Sequence, residues 1–270
     1  MAWQMESNTV QVMGILNITP DSFSDGGRFH VQDAALHHVE QMVQDGVDII
    51  DIGGESTRPG ADAVDVATEL ARVVPMIEAI RQRFDVPISV DTSKPEVMLA
   101  AVNAGANIIN DIRALQEPNA LAICATLNVP ICLMHMQGLP RSMQHNPQYK
   151  DVIADVCQFF AERIATCERA GITRSRLILD PGFGFGKTLD HNIALLRGLD
   201  TFLDFQLPLL VGVSRKSMIG QLLGDRSVDE RLHGSIAAAV IAAMKGSRII
   251  RVHDVKATVD AMKIVKAVCR

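Results

Sequence analysis

The chain has 270 residues, of which 48% are hydrophobic and only 4% aromatic, so it is long enough to bury a large core without disulfides. Its formal net charge of -5 offers no basic face for nucleic acid, and any anionic ligand must be held by a local cluster of donors. The five cysteines, odd in number and without a CxxC pair, argue against a disulfide framework or a zinc site and predict reduced thiols in a cytoplasmic protein.

The sequence predicts neither a secretory signal nor a membrane-spanning segment. The N-terminal segment MAWQMESNTV has no apolar region of the kind found in a secretory signal. The longest apolar stretch, 236–244, is far shorter than the roughly 20 residues that span a bilayer. We therefore expect a soluble protein.

Eight short aliphatic runs, each followed by polar residues, form the main pattern of the sequence. In chain order they are VMGIL, VDII, PISV, ANII, ICLM, LIL, LLVGV and RII. Strands that are covered on both faces read as continuous aliphatic runs of this kind. Eight of them, alternating with helix-length segments, predict one (β/α)8 barrel over residues 1–270, with its active site where the C-terminal ends of the strands converge.

Helices are predicted between these runs. Their approximate bounds are 31–45, 66–83, 94–104, 119–127, 151–170, 190–199, 231–245 and 255–267. Three helix ends share a glycine followed by two connecting residues and the next aliphatic run, and residues 170–180 are a looser copy; glycine at that point predicts a left-handed C-cap. Ser93 and Glu96 have the spacing of a capping box, with Pro95 in the first turn, so Asp91 is expected at the very end of its strand.

Two long loops follow the first two strands. Residues 19–30 and 56–65 are rich in Gly, Asp and Ser. Loops of this length in a compact domain are often lids or binding loops, although a plain solvated connection is the alternative.

Three acids come at the ends of predicted strands: Asp51, Asp91 and Asp180. Asn110 ends a fourth strand and is expected beside them. Together these carboxylates and the amide suit the edge of a flat, donor-rich heterocycle such as an aminopyrimidinone. Because magnesium also prefers oxygen ligands, a metal site is an equally open interpretation of the same residues.

The cations lie elsewhere in the sequence. Lys216 follows the seventh strand, Arg251 and His253 end the eighth, and Arg58 lies in the second long loop. Barrels of this class often bind phosphate after strands seven and eight. Residues two apart on a strand share a face, so Arg251 and His253 are predicted to form an anion clamp, with salt bridges at the barrel rim as the alternative.

The segment PGFGFGKT, residues 181–188, resembles a nucleotide-binding loop but has the wrong spacing, because Pro181 stands where a Walker A loop needs glycine. Its glycines are instead predicted to let the backbone approach a ligand, with Phe183 and Phe185 presenting their ring faces. His135 follows the fifth strand, and no second histidine lies at a metal-ligand spacing from it.

Six segments resemble motifs of a known family, the dihydropteroate synthases of folate biosynthesis. They are MGILNITPDSFSDGG (13–27), DIGGESTRPGA (51–61), SVDTSKPEV (89–97), DPGFGFGK (180–187), SRKSM (214–218) and RVHDV (251–255). The resemblance covers essentially the whole chain. It implies a barrel transferase, commonly a homodimer, that joins 6-hydroxymethyl-7,8-dihydropterin diphosphate to 4-aminobenzoate and yields 7,8-dihydropteroate and pyrophosphate.

The resemblance also implies which residues bind each part of the substrates. The pterin would be held by Asp91, Asn110, Asp180, Lys216 and, by stacking, Arg251. The diphosphate would be held by Asn17, Thr57, Arg58, Arg251 and His253, with Asn17 also on Mg2+. The 4-aminobenzoate pocket would be lined by Phe23, Pro59, Phe185, Ser214 and Lys216.

The chemistry implied is a dissociative displacement in which Mg2+ and the cations stabilise the leaving pyrophosphate. The catalytic set would be Asp91, Asp180, Lys216 and Arg251. The main alternative is a barrel that binds methyltetrahydrofolate and transfers its methyl group to a corrinoid protein. A Schiff-base aldolase that uses Lys216 and a non-catalytic pterin carrier are further alternatives.

Overall fold

A computed structural model describes residues 9–18, 28–55, 64–138 and 143–269, without the side chains of residues 28–31. Most of both predicted loops therefore falls outside the described residues. So do four residues predicted to bind substrate: Phe23, Thr57, Arg58 and Pro59.

The eight predicted strands all form, and all are parallel. They are β1 (Gln11–Asn17), β2 (Ile49–Gly53), β3 (Ile88–Asp91), β4 (Ile108–Asp111), β5 (Ile131–Met134), β6 (Leu177–Asp180), β7 (Leu210–Val211) and β8 (Ile249–Val252). They lie side by side in the order β6-β5-β4-β3-β2-β1-β8-β7. The sheet closes on itself where the Leu179 amide donates to the Pro208 carbonyl at 2.9 Å. The predicted barrel is confirmed.

Helices surround this sheet. They are α1 (Arg28–Gln44), α2 (Val66–Arg81), α3 (Pro95–Asn103), α4 (Ala120–Thr126), α5 (Val152–Arg169), α6 (Leu189–Arg197), α7 (Ser217–Leu222), α8 (Leu232–Met244) and α9 (Val255–Val268). Eight correspond to the predicted helices within a few residues, whereas the short helix α7 was not predicted. None of the helices in the described ranges is both long and apolar enough to cross a membrane.

The predicted capping box at the start of α3 is wrong. Lys94, not Ser93, occupies the N-cap position, and it makes no side-chain capping bond. The Ser93 hydroxyl instead donates to Asp111 at 2.5 Å, which ties the end of β3 to the end of β4. Pro95 does open the helix, and Asp91 is the last residue of β3, as expected.

The predicted left-handed glycines are confirmed at all four helix ends. The φ angles are +88° at Gly46, +115° at Gly105, +90° at Gly171 and +94° at Gly246. Because an added Cβ is disfavoured at such angles, glycine ends each helix and turns the chain into the next strand.

The barrel interior is filled near the N-terminal ends of its strands. A buried cluster of Met13, Ile49, Ile108, Cys132, Ile178, Leu210 and Ile249 forms this plug. Alternate residues of a strand face the same side of a sheet. Each of Asp51, Asn110, Asp180 and Arg251 is two residues after a plug residue, and so the same inward face that is apolar below becomes polar at the mouth.

Gly171 and Gly105, which follow α5 and α3, allow a matched test of how glycine at a helix end contributes to stability. A Cβ at Gly171 would meet no atom within 4 Å, whereas one at Gly105 would lie 3.0 Å from Arg81 Cγ. Gly171→Ala should therefore lower the free energy of unfolding by about 1 kcal/mol, from backbone strain alone. Gly105→Ala should lose more in urea denaturation, because Arg81 also donates to the Gly105 carbonyl. Equal losses would contradict the contribution of this contact.

Candidate active site

One arginine joins two acids across the mouth of the barrel. Arg251 on β8 donates from Nε to Asp51 on β2 at 2.6 Å and from Nη2 to Asp91 on β3 at 2.7 Å. Burial lowers the pKa of Arg251, but Asp51 and Asp91 raise it by more, so its pKa lies above the ordinary value. The guanidinium therefore stays charged between two buried carboxyls.

Asp51 lies at the bottom of the site and is fully buried. Its Oδ2 accepts from Arg251 and also from Asn110 Nδ2, at 3.2 Å. Its Oδ1 has no hydrogen-bond partner among the described residues. Asp51 faces the barrel interior, as predicted, but it is the third residue of β2 (Ile49–Gly53) and does not end the strand. Its structural role, however, is to hold two other site residues, Asn110 and Arg251.

Asp91 and Asp180 are each only 6% exposed. Burial raises the pKa of Asp91 to about 7, although Arg251 acts in the opposite direction. Burial likewise raises the pKa of Asp180, and Lys216 opposes it. Asp180 is oriented by the Gly182 amide, which donates to its Oδ1 at 2.8 Å. The two carboxyls are thus poised acceptors whose ionisation depends on neighbouring cations.

Lys216 lies against the segment after β6. Its Nζ donates to the Phe183 carbonyl and lies 4.7 Å from the centroid of the Phe185 ring. Burial lowers the pKa of Lys216 to about 8, and Asp180 partly offsets that effect. Lys216 and Phe185 therefore form one wall of the site, as their joint assignment to a ring-binding pocket requires.

The prediction that Phe183 presents its ring to a ligand is wrong. Phe183 is fully buried in the hydrophobic core, and only Phe185 is partly exposed. The close approach expected of the glycines is made to protein backbone. A Cβ on Gly182 would lie 1.9 Å from the His135 carbonyl oxygen, and one on Gly186 would lie 2.4 Å from that of Gln137. The glycines thus let the segments after β5 and β6 pack together.

The two residues of the predicted anion clamp make separate sets of contacts. Arg251 is held by the acids, whereas the His253 amide donates to Ser214 Oγ at 3.1 Å, with His253 Nδ1 also 3.1 Å from that oxygen. Ser214 is buried and His253 is exposed. Arg215, next to Ser214, forms a paired contact with Asp254, at 2.9 and 2.6 Å, and so fixes the turn after β7.

Asn17 ends β1 and is half-buried. Its Oδ1 lies 3.4 Å from the point where a Cβ on Gly53 would stand, so glycine at that position leaves space beside the amide. In the described ranges, no group of three or more His, Cys, Asp or Glu side chains is arranged to hold a metal. The alternative in which the three strand-end acids gather magnesium gains no support here, because two of them bind Arg251.

An ionic contact beside the mouth was missed in the sequence. Lys94 donates to Glu55 and, at 2.5 Å, to the fully buried Glu69 on α2. Glu55, the residue before the second long loop, is thus linked through Lys94 to Glu69 on α2. The only signal available was the position of Lys94 after Asp91, and nothing in the sequence indicated its partners.

The chain is similar to known proteins over nearly its whole length. The model of the pterin binding enzyme family matches residues 13–253. Dihydropteroate synthase from Escherichia coli (strain K12) is 61% identical over 256 residues, which cover 95% of this chain and 90% of that protein.

Solved structures agree with this similarity. The Yersinia pestis dihydropteroate synthase in a sulfonamide drug complex superposes with a TM-score of 0.92 at 57% identity, over 97% of this chain and 95% of that one. The Xanthomonas albilineans dihydropteroate synthase with 4-aminobenzoic acid has a TM-score of 0.92 at 50% identity, over 97% and 94% of the two chains.

The lowered pKa of Lys216 predicts a pH-dependent cost to folding. Below pH 8 the folded protein must keep an ammonium where its charge is less stable than in the unfolded chain, and this cost is relieved between pH 8 and the ordinary value of 10.5. The stability of Lys216→Met relative to wild type should therefore be highest below pH 8 and fall across that interval. Urea denaturation at several pH values measures it, with Lys256→Met at an exposed position as the control. A difference independent of pH would contradict the burial of this charge.

Proposed function

The chain belongs to the pterin-binding enzyme family, among the dihydropteroate synthases, and on that premise we propose a role for each group at the mouth of its barrel. The enzyme joins 6-hydroxymethyl-7,8-dihydropterin diphosphate to 4-aminobenzoate and forms 7,8-dihydropteroate and pyrophosphate. One observation carries the proposed roles: buried acceptors on β3, β4 and β6 converge with two cations, Lys216 and Arg251, at one mouth of the barrel. The methyl-transfer alternative gains no comparable support.

Asp91, Asn110 and Asp180 bind the pterin edge in this proposal. Their oxygens accept the N–H groups of the ring, and buried acceptors of this kind discriminate strongly, because a wrong ligand leaves them unpaired. Lys216 donates to a ring acceptor from the other side. Asp51 stays below, where it keeps Asn110 and Arg251 in place.

Arg251 serves both halves of the pterin diphosphate. Two of its five N–H groups are engaged by Asp51 and Asp91, so three remain for an anion, while the guanidinium face is available for stacking on the ring. His253 and Asn17 are the other described residues proposed to hold the diphosphate, and Thr57 and Arg58 belong to the same proposed set. Ser214 fixes the orientation of His253 through its hydroxyl.

Mg2+ is proposed to bind at Asn17. The amide oxygen of Asn17 beside Gly53 is a suitable hard ligand, and magnesium commonly binds through one or two protein oxygens together with waters and substrate phosphates. When bound, the ion would neutralise charge on the diphosphate.

The 4-aminobenzoate is proposed to lie between Phe185, Lys216 and Ser214, with Phe23 and Pro59 completing the pocket. The ammonium of Lys216 beside the Phe185 ring offers a cation and an apolar face to an aromatic carboxylate. The complex of the Xanthomonas enzyme with 4-aminobenzoic acid supports a pocket of this kind in the same fold.

The proposed reaction needs no protein nucleophile. The bond between the pterin methylene carbon and the diphosphate oxygen breaks, and its electron pair leaves with pyrophosphate, whose growing charge Arg251 and His253 stabilise. The methylene carbon becomes electron-poor, which the carboxylates of Asp91 and Asp180 favour. The amine of 4-aminobenzoate then forms the new C–N bond, and its proton passes to the released pyrophosphate.

We also propose that residues 1–270 form one domain, that the enzyme is a cytoplasmic homodimer, and that its ligands are small molecules rather than nucleic acid or a membrane. The described cysteines are all unpaired, which supports a reducing compartment.

The proposed homodimer is supported by an apolar surface at the end of α8. Ile241 and Met244 are 44% and 62% exposed there, which suits contact with a second copy. A monomer mass in light scattering at micromolar concentration would exclude the dimer.

Pyrophosphate release tests the proposed function directly. Release should require both pterin diphosphate and 4-aminobenzoate and should be strongly reduced when a chelator removes Mg2+. Methyl transfer from methyltetrahydrofolate to a corrinoid protein, without pyrophosphate release from the first pair, would support the alternative instead.

Asp180→Asn should weaken pterin binding while leaving the fold intact, because an amide places a donor where the ring needs an acceptor. The loss of one buried charge-assisted hydrogen bond corresponds to an affinity about 10- to 150-fold lower. Calorimetry with a pterin that lacks the diphosphate measures this without contributions from the anion site. Unchanged affinity would contradict the role proposed for Asp180.

A further inference from the structure

Lys187 is a buried lysine for which the proposed reaction has no use. It follows β6 in the GFGFGK segment and is only 3% exposed. Its Nζ lies 2.9 Å from the Gly182 carbonyl, 3.0 Å from that of Phe185, 3.3 Å from that of His135 and 2.9 Å from His135 Nδ1. All four neighbours are acceptors when the histidine ring is neutral, and they suit the three donors of an ammonium, although burial lowers the pKa of Lys187 well below its ordinary value.

His135 completes this arrangement from the segment after β5. Burial, with a smaller contribution from Lys187, lowers the pKa of its ring to about 3, so the ring is neutral at physiological pH. With Nδ1 facing Lys187, the ring proton is on Nε2. An edge-to-face contact with Phe159, 4.9 Å between ring centroids, fixes the plane of the imidazole. Lys187 therefore ties two separate barrel segments together at a point behind the site.

The segment held by Lys187, residues 182–186, has every carbonyl bonded to a side chain. Besides Gly182 and Phe185, which bind Lys187, the Phe183 carbonyl accepts from Lys216, the Gly184 carbonyl from Gln144, and the Gly186 carbonyl from Tyr149 at 2.8 Å. Two lysines thus donate hydrogen bonds to the same short segment. Lys216 lies on the side proposed to face the substrate, and Lys187 lies on the buried side.

This arrangement links a buried lysine to the position of substrate-facing groups. The Phe183 carbonyl fixes Lys216, and the Phe185 ring lies beside the same ammonium. Both groups belong to a glycine-rich segment, which has little stiffness of its own. Among the described side chains, only Lys187 donates to the Phe185 carbonyl, so its removal would leave that carbonyl without a side-chain donor.

We propose that Lys187, paired with His135, is the positioning residue of the 4-aminobenzoate half of the site. It touches no substrate. By binding the Gly182 and Phe185 carbonyls, it holds the segment that carries the Phe183 carbonyl and the Phe185 ring, and through them Lys216, so that the second substrate finds a formed pocket. This inference rests on the proposed function, because it assigns Phe185 and Lys216 to 4-aminobenzoate.

Steady-state kinetics of Lys187→Met, with each substrate varied in turn, tests the inference. The KM for 4-aminobenzoate should rise by about 10-fold or more, the effect of one lost charge-assisted bond, and by a larger factor than the KM for pterin diphosphate. The matched control is Arg176→Met. Arg176 also binds carbonyls from a half-buried position, those of Val129 and Cys124 at 2.9 Å, but it lies before β6, at the opposite end of the barrel.

Arg176→Met should lower thermal stability and leave both KM values near those of wild type. If Lys187→Met behaves in the same way, Lys187 is merely structural and the inference is overturned. An equal rise of both KM values would also overturn it, because the effect would then not be confined to the second substrate.

Two variants of His135 keep the test valid if Lys187→Met does not fold. His135→Leu removes the Nδ1 acceptor and should raise the KM for 4-aminobenzoate selectively, whereas His135→Asn can offer an amide oxygen in its place and should restore much of it. Identical kinetics of the two variants would overturn the role of the pair. If wild type itself releases no pyrophosphate, the proposed function fails and the inference falls with it; if wild type turns over and no variant separates the two KM values, only the inference fails.

Discussion

The contact on which the site most depends is the bridge from Arg251 to Asp51 and Asp91. Two carboxylates buried in a barrel repel each other, and the removal of each from water costs several kcal/mol unless a cation and hydrogen bonds compensate. Arg251 supplies that compensation for both, at 2.6 and 2.7 Å, and Asn110 adds a donor to Asp51. Two N–H groups of Arg251 are used by these acids. The charge that stabilises the acidic mouth is also the one proposed to receive the diphosphate.

The barrel turns this contact into a site by simple geometry. Ile49, Ile108, Ile178 and Ile249 fill the interior, and the residues two positions later along each strand face the same side. Those residues are Asp51, Asn110, Asp180 and Arg251. An apolar plug therefore lies directly beneath a polar layer, which keeps water out from below. The low exposure of Asp180 and its raised pKa follow from this layering.

The sequence allowed the strands, the left-handed glycines and the inward acids to be predicted, because each depends on local chemistry: aliphatic runs, a missing Cβ, or a strand period of two. It could not reveal partners made by the closure of the barrel. Arg251 meets Asp51 across 200 positions of sequence. Ser93 had the spacing of a cap, but tertiary packing gave its hydroxyl a better acceptor in Asp111. Phe183 and Lys187 were misjudged or overlooked for the same reason, since burial depends on how the segments after β5 and β6 pack.

A double-mutant cycle on the free energy of unfolding tests the dependence of the site on Arg251 most directly. Arg251→Met alone should cost roughly 3–5 kcal/mol, because it leaves two buried carboxylates without a cation. In a protein that already carries Asp51→Asn and Asp91→Asn, the same substitution should cost much less, so the coupling energy should exceed about 1.5 kcal/mol. Additive losses, with the arginine substitution equally costly in both backgrounds, would contradict the claim that this one side chain makes the acidic mouth possible.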